Sequence, residues 1–437
     1  MTTGIICEYN PMHRGHEEMI KKLRAGGTDT VVCLMSGSFV QRGEPAIADK
    51  YGRAAAAVRS GADVVLELPF PWSCGSARYF AAAGIYILNA LGVKNIAFGS
   101  ECADAAMLRA AAEAAPEDSR TDTAPTGAAA GYFAALNERL GGASRLMPND
   151  ILGVEYIRAA RVLGTGTDFT VVRREGAGFN DSDPDANIPS ASALRTAVRE
   201  GRLPHGLCDA SAEMLRDAAK NGGAPADMSA LGSAVLYRFR TAGSAALSEY
   251  AECGGGVSGR LCHAAETNGT LADMMAAAAT KKYTDARLRR AVIFAMTETR
   301  KSDLDALPAY VTLLAVNGRG RKFLSDARRS AALPVLTRPS DARTAESAGK
   351  TAEAAMQKAA DAETAAGNAG SKADEALNAA NTAASAATAA ASAASAAEES
   401  ANSANTAANE AKTAANNAQK AANDALEAVT KLTSVIN

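Results

Sequence analysis

His13 and His16 stand three residues apart with Gly15 between them, and they are two of only four histidines in a chain of 437 residues. Imidazole nitrogens donate hydrogen bonds to phosphoryl oxygens and stabilise the negative charge that grows there during transfer. Complementary groups occur far downstream, where Ser190 and Ser192 offer hydroxyls and Arg195 offers a planar guanidinium that grips phosphate oxygens in pairs. Together the two sets predict one nucleoside triphosphate held from both sides, and these five residues are the candidate catalytic groups. Ser190 and Ser192 equally suit a plain helix N-cap, and the histidine pair a polar helix surface; spacing alone leaves those readings open. No Cys/His cluster has zinc spacing, so the only metal expected is magnesium arriving with ATP.

Placing these groups takes a strand that ends, a turn, and a helix that begins. Gly4-Ile5-Ile6-Cys7 is an apolar run, and Asn10-Pro11 biases the backbone away from helix. From His13 to Arg24 a helix is expected, with Met19, Ile20 and Leu23 as its buried stripe. Its N-terminus presents free N–H groups and the positive end of the helix dipole, a setting for an anion. Gly15 is expected to let a nucleotide approach the backbone closely. Further strands are predicted at residues 30–35, 63–68 and 95–98, and helices at 50–60 and 76–91. Short apolar runs separated by amphipathic helices predict an α/β fold, a Rossmann-like parallel sheet with helices on both faces. Ligands of such sheets bind beyond the carboxyl ends of the strands. The loops Glu8-Tyr9-Asn10, Ser36-Gly37-Ser38, Pro69-Phe70-Pro71 and Gly99-Ser100-Glu101 are therefore expected to surround one site.

Three domains are expected: 1–200, ATP-binding and catalytic; 201–342, helical and basic; 343–437, an alanine-rich tail. The net charge of −2 conceals an asymmetry, because residues 345–437 carry 6 Lys/Arg against 11 Asp/Glu and leave residues 1–344 at +3. A mildly basic body permits a nucleic-acid partner. Seven cysteines without a C-x-x-C pair read as reduced thiols in cores. With no signal peptide and no long uncharged apolar run, a soluble cytoplasmic protein without a membrane partner is expected. In the second domain Lys281, Lys282, Tyr283, Arg287, Arg289 and Arg290 form a basic run, either a solvated helix face or a surface for RNA phosphates with Tyr283 free to stack on a base. Residues 317–322 add a second basic element, expected in a turn whose glycines expose the backbone. In the tail, alanine recurs every seven residues from 345 to 422 and again from 348 to 425. That is a coiled-coil pattern with small core residues, expected to associate with itself or another chain or else to be partly disordered.

His-x-Gly-His after a first strand resembles the signature of the class I synthetase and nucleotidyltransferase superfamily, whose second phosphate site is a Ser-Ser/Thr-x-x-Arg type motif. Residues 4–16 and 36–46 together resemble one family, the bacterial tRNA(Met) cytidine acetate ligases. Residues 62–69, 98–101, 148–156, 174–179 and 280–290 follow its pattern in order and spacing, so the resemblance covers about residues 1–342. It implies an enzyme that activates acetate with ATP as acetyl-adenylate and passes the acetyl group to N4 of the wobble cytidine of elongator tRNA(Met). It also implies an ATP loop running Cys7, Glu8, Tyr9, Asn10, Pro11, Met12, His13, Arg14, Gly15, His16, with Gly99, Asn149 and Arg174 as further nucleotide contacts. Ser38 and Asn180 depart mildly from the family pattern. After residue 342 family members continue into a further globular portion, where this chain begins its alanine heptads. Two other readings stay open: a small-molecule adenylyltransferase of the same His-x-Gly-His class, and an impaired catalytic head fused to an oligomerising rod.

Overall fold

The computed structural model describes residues 1–114, 146–175, 183–186, 188–280, 282–329 and 331–436. Along the chain the strands are β1 (Thr2–Cys7), β2 (Thr30–Ser36), β3 (Phe39–Val40), β4 (Glu44–Pro45), β5 (Val64–Leu68), β6 (Asn95–Ser100), β7 (Asp168–Arg173), β8 (Val311–Val316) and β9 (Val335–Leu336). Seven of them form one sheet in the order β7-β6-β1-β2-β5-β8-β9, and β3 pairs with β4 as a separate hairpin. All neighbours in the main sheet run parallel except β5 and β8.

Alternation along the strands builds two cores. Ile6, Val32 and Leu34 pack on one face with Phe80, Leu88, Phe98 and Tyr156, which come from α3 (Ala77–Ala90), β6 and the later helix Pro148–Val162. Ile5, Val31, Cys33 and Met35 point the other way, to α1 (Arg14–Ala25) and α2 (Lys50–Arg59). A strand buried on both faces is apolar along most of its length, which explains the runs Ile5-Ile6-Cys7 in β1 and Val31-Val32-Cys33-Leu34-Met35 in β2. The helices that cover the sheet are started by local caps, among them Asp49, which accepts from the N–H groups of Tyr51 and Gly52.

Residues 228–296 form a bundle of helices with its own core of Val235, Phe239, Leu261, Met274, Leu288 and Val292, while the helix Asp209–Lys220 packs on α2. The chain then returns to the sheet as β8 and β9, which the reading of residues 201–342 as a helical region does not foresee. Val311-Thr-Leu-Leu-Ala-Val316 is a short apolar run, and periodicity cannot distinguish a strand of that length from buried helix. The basic element at 317–322 is likewise helical rather than a turn: Asn317 caps the helix Gly318–Ala327 by accepting from Gly320 N. Asp63 ties this return segment to the sheet. Its buried carboxylate accepts from Val31 N at 2.8 Å, Asn317 Nδ2 at 2.9 Å and Arg319 Nε at 3.0 Å, and it pairs with Arg24.

Residues Met1–Lys350 form one compact unit and Thr351–Asn437 a second. The last helix, Ala342–Ile436, has 95 residues, about 140 Å at 1.5 Å per residue. All its described side chains are exposed. Among the described residues, no helix is long and apolar enough to cross a membrane. All seven cysteines are free thiols, six of them buried.

Candidate active site

The turn between β1 and α1 is built around its histidines. His13 is the N-cap of α1, and its Nδ1 accepts from Gly15 N at 3.1 Å. His16 Nδ1 accepts in turn from His13 N at 3.2 Å, a reciprocal capping box. The rings lie against one another with centroids 3.8 Å apart, and the edge of Tyr9 packs on His16 at 5.0 Å. Tyr9 is held there by a backbone with φ of 42° and by its hydroxyl, 3.3 Å from Cys33 Sγ.

This capping fixes the protons. With both Nδ1 atoms accepting backbone N–H groups, each neutral ring carries its hydrogen on Nε2, the nitrogen left for a ligand. Burial, then the charges of Arg174 and Arg195, lowers the His13 pKa to about 3. Burial, His13 and Arg174 push His16 well below its usual range. Both are therefore neutral hydrogen-bond donors at pH 7, and Arg174 and Arg195 are the nearby cations.

Arg195 reaches this turn from the helix Ala191–Arg199. Its Nη1 donates to Asn10 O at 3.0 Å, and its Nε lies 3.4 Å from Glu44 Oε1. Glu44 also pairs with Arg199 at 3.3 Å. Ser190 caps this helix by accepting from Ala193 N at 3.1 Å, and Ser192 is exposed. The two elements expected to grip one polyphosphate thus meet, Arg195 directly and Ser190 as a cap.

Gly99, Asn149 and Arg174 also come together. Asn149 Nδ2 donates to Glu101 Oε1 at 2.5 Å, and Arg174 Nε lies 3.7 Å from the same oxygen. Asp150 N donates to Glu101 Oε2 at 3.2 Å. A Cβ on Gly99 would stand 3.1 Å from Arg174 Cγ, so the glycine makes room for that arginine. Glu101 organises the cluster; its motif is visible in the sequence, its role is not.

The other expected site residues are placed as follows. The His13 ring and Ile188 would each lie 3.0 Å from a Cβ on Gly15, so the glycine makes room for the capping imidazole. Cys7, Tyr9 and Met12 are buried in the sheet core, and Pro11 is buried too. Asn10 Oδ1 accepts from Ile47 N at 2.7 Å, while Arg14 is exposed and its N–H donates to Gly206 O at 3.0 Å.

The basic run divides. Tyr283 is only 7% exposed and donates its hydroxyl to Gly255 O, so it is not free to stack on a base. Arg287 and Arg290 both pair with the buried Glu252, at 3.3 and 2.9 Å, which spends their charge inside the protein. Lys282 and Arg289 are exposed; Lys281 lies outside the described residues. Arg53 is a residue that motif reading passes over. Fully buried, it donates to Ala48 O, Glu8 O, Ser36 O and Gly37 O and joins the ends of β1 and β2. Among the described residues, no group of three or more His, Cys, Asp or Glu side chains is placed to hold a metal ion.

The model of the HIGH Nucleotidyl Transferase family matches residues 1–381, running past residue 342 into the last helix. A tRNA(Met) cytidine acetate ligase of Syntrophotalea carbinolica is 36% identical over 356 residues, covering 76% of this chain and 84% of the relative. One from Listeria monocytogenes is 33% identical, covering 78% and 90%. Among solved structures, apo Thermotoga maritima TmcAL superposes with a TM-score of 0.71 at 31% identity, over 79% of this chain and 87% of that one. The same protein bound with alpha-thio ATP gives 0.70 at 29% identity, with the same coverage. The chain belongs to the tRNA(Met) cytidine acetate ligase family of HIGH nucleotidyltransferases.

Proposed function

We propose that the chain is an ATP-dependent ligase that makes acetyl-adenylate and transfers its acetyl group to N4 of the wobble cytidine of elongator tRNA(Met). The names of its relatives and the ATP analogue bound by a structural neighbour support this reading. The observation that carries it is the meeting of His13, His16, Arg174 and Arg195 beyond the carboxyl ends of β1 and β7. An acetate oxygen attacks the α-phosphorus and pyrophosphate leaves. Two neutral Nε2–H donors and two guanidinium groups oppose the charge growing on the phosphoryl oxygens. Magnesium bound to the triphosphate would add to that neutralisation. The N4 amine then attacks the acetyl carbonyl carbon and AMP leaves, without a protein nucleophile. Lys282 and Arg289, with Lys281, contact the RNA backbone, and the cytoplasm is where that substrate is met.

Incubation with ATP, labelled acetate and tRNA is expected to place label in N4-acetylcytidine of tRNA(Met). ATP turnover that ignores acetate, or tRNA that stays unlabelled, would overturn the assignment. We also propose that the alanine heptads associate with those of a second copy, since the described alanines of both series lie exposed along the helix. Sedimentation of the full chain is expected to give a species larger than a monomer. A monomer at tens of micromolar would remove that role.

A further inference from the structure

We propose that Glu8 is the general base of the acetyl-transfer step, an inference that rests on the function proposed above. Glu8 directly follows β1 at the carboxyl edge of the sheet, five residues before His13, and is half-buried. One oxygen, Oε1, accepts from Gln41 N at 3.0 Å. Among the described residues its carboxylate makes no other hydrogen bond and joins no ion pair within 4.0 Å.

The other carboxylates around the strand ends are taken. Glu44 holds Arg195 and Arg199, Glu67 holds Lys50 with both oxygens at 2.7 Å, and Glu101 holds Asn149 and Arg174. The histidines are excluded as bases, because Nδ1 of each accepts a backbone N–H and Nε2 carries the proton. Glu8 therefore offers the available lone pairs at this edge.

Its position faces the RNA side. Gln41, whose N–H binds Glu8, accepts through its carbonyl oxygen from Arg290 Nη1 at 3.4 Å, on the helix Asp285–Met296 that follows Lys282 and carries Arg289. Gly43 of the same hairpin, at φ of 73°, abuts that helix so closely that a Cβ would stand 2.5 Å from Arg290 N. The hairpin thus brings Glu8 between the adenylation turn and the helix bearing the exposed cations. Arg195, Arg42, Arg53 and Glu44 are the charged groups that face it. Burial raises its pKa above the ordinary glutamate value, Arg195 and Arg42 oppose that rise, and Glu44 adds to it. A carboxylate so placed is a stronger base than one in water.

Cytidine N4 is a weak nucleophile whose attack leaves a proton to be removed. In the step, a bond forms between N4 and the acetyl carbon, and the bond from that carbon to the phosphate oxygen breaks. AMP departs with the electron pair, and the N4 proton passes to Glu8 Oε2 and then to water.

The test follows both half-reactions in the full chain: acetate-dependent ATP–pyrophosphate exchange, and single-turnover transfer from added acetyl-adenylate to tRNA(Met). For Glu8→Gln the ratio of transfer to exchange is expected to fall by about 10²–10³-fold. The wild-type transfer rate rises with pH through one ionisation, and in Glu8→Gln that rise is lost. Glu8→Asp keeps a carboxylate and is expected to transfer more slowly with its pH dependence intact. Equal losses in both half-reactions, an unchanged ratio, or a surviving pH dependence in Glu8→Gln overturns the assignment, as does a pH-independent Glu8→Asp. A wild-type chain that exchanges pyrophosphate with acetate yet never acetylates tRNA would instead sink the proposed function, and Glu8's role with it.

Discussion

Substituting His16 by alanine is expected to lower acetate-dependent ATP–pyrophosphate exchange by about 10²–10³-fold, the usual loss when one preorganised donor to a growing negative charge is removed. His16 offers Nε2–H to the phosphoryl group because its Nδ1 is occupied by His13 N, and burial, the His13 ring and Arg174 keep the ring neutral. The stability cost is small by comparison. The His13 N–H loses its partner, worth about 1 kcal/mol, and the stacking of the two rings goes with it. A thermal melt at pH 8 should therefore move by a few degrees while exchange nearly vanishes. An exchange rate within threefold of wild type would mean that the histidine pair is only a helix cap.

The same neutrality fixes the sign of the pH response. The His13 pKa falls from 6.5 to about 3 on folding, so between those values the unfolded chain binds a proton that the folded one refuses. Stability from this group is complete above pH 6.5 and is lost as pH falls toward 3. The His13 donor itself does not change charge between pH 8 and pH 5. A loss of exchange across that range must come from a group other than His13.

What the sequence discloses and what it withholds separate by range along the chain. β1, β2, β5 and β6 are legible because strands buried on both faces carry short, mostly apolar runs bounded by Gly, Pro or Asn. The histidine cap is legible because His13, Gly15 and His16 lie within one turn. Groups whose partners are distant stay hidden: Glu101 meets Asn149 48 residues away, and Tyr283 is buried by Gly255 28 residues earlier. Charge runs mislead for the same reason. Arg287 and Arg290 look like half of an RNA surface until Glu252, 35 and 38 positions back, is seen between them. The strand β8 pairs antiparallel to β5 across more than 240 residues, and no local spacing announces it.

Arg53 is the strongest case of a distant partner, and replacing it by methionine is expected to destabilise the fold by more than about 3 kcal/mol. Its guanidinium donates to Ala48 O at 3.1 Å, Glu8 O at 2.6 Å and Ser36 O at 3.0 Å, and also to Gly37 O. Methionine fills similar volume but leaves those buried carbonyls unsatisfied, at about 1–3 kcal/mol each. Burial already draws the Arg53 pKa down to about 10, so the charge is held at a cost that the converging carbonyls and the nearby carboxylates of Glu8, Asp49 and Glu67 offset. Arg53→Lys separates folding from function. An ammonium has three donors on a point charge and cannot span the carbonyls that a planar fork reaches. The lysine variant is expected to fold with a lowered urea midpoint and to lose about 10–100-fold in pyrophosphate exchange. The reason is that Glu8 and Ser36 stand where β1 and β2 end, and a displacement of about 1 Å at reacting groups costs up to about 10²-fold. Parallel strands present their carboxyl ends to a ligand without any pairing between the loops that follow them. Some group must fix those loops before the nucleotide arrives, and in this chain one arginine bonds to both. A lysine variant with wild-type exchange and a lowered melting temperature would show that the clamp serves folding alone.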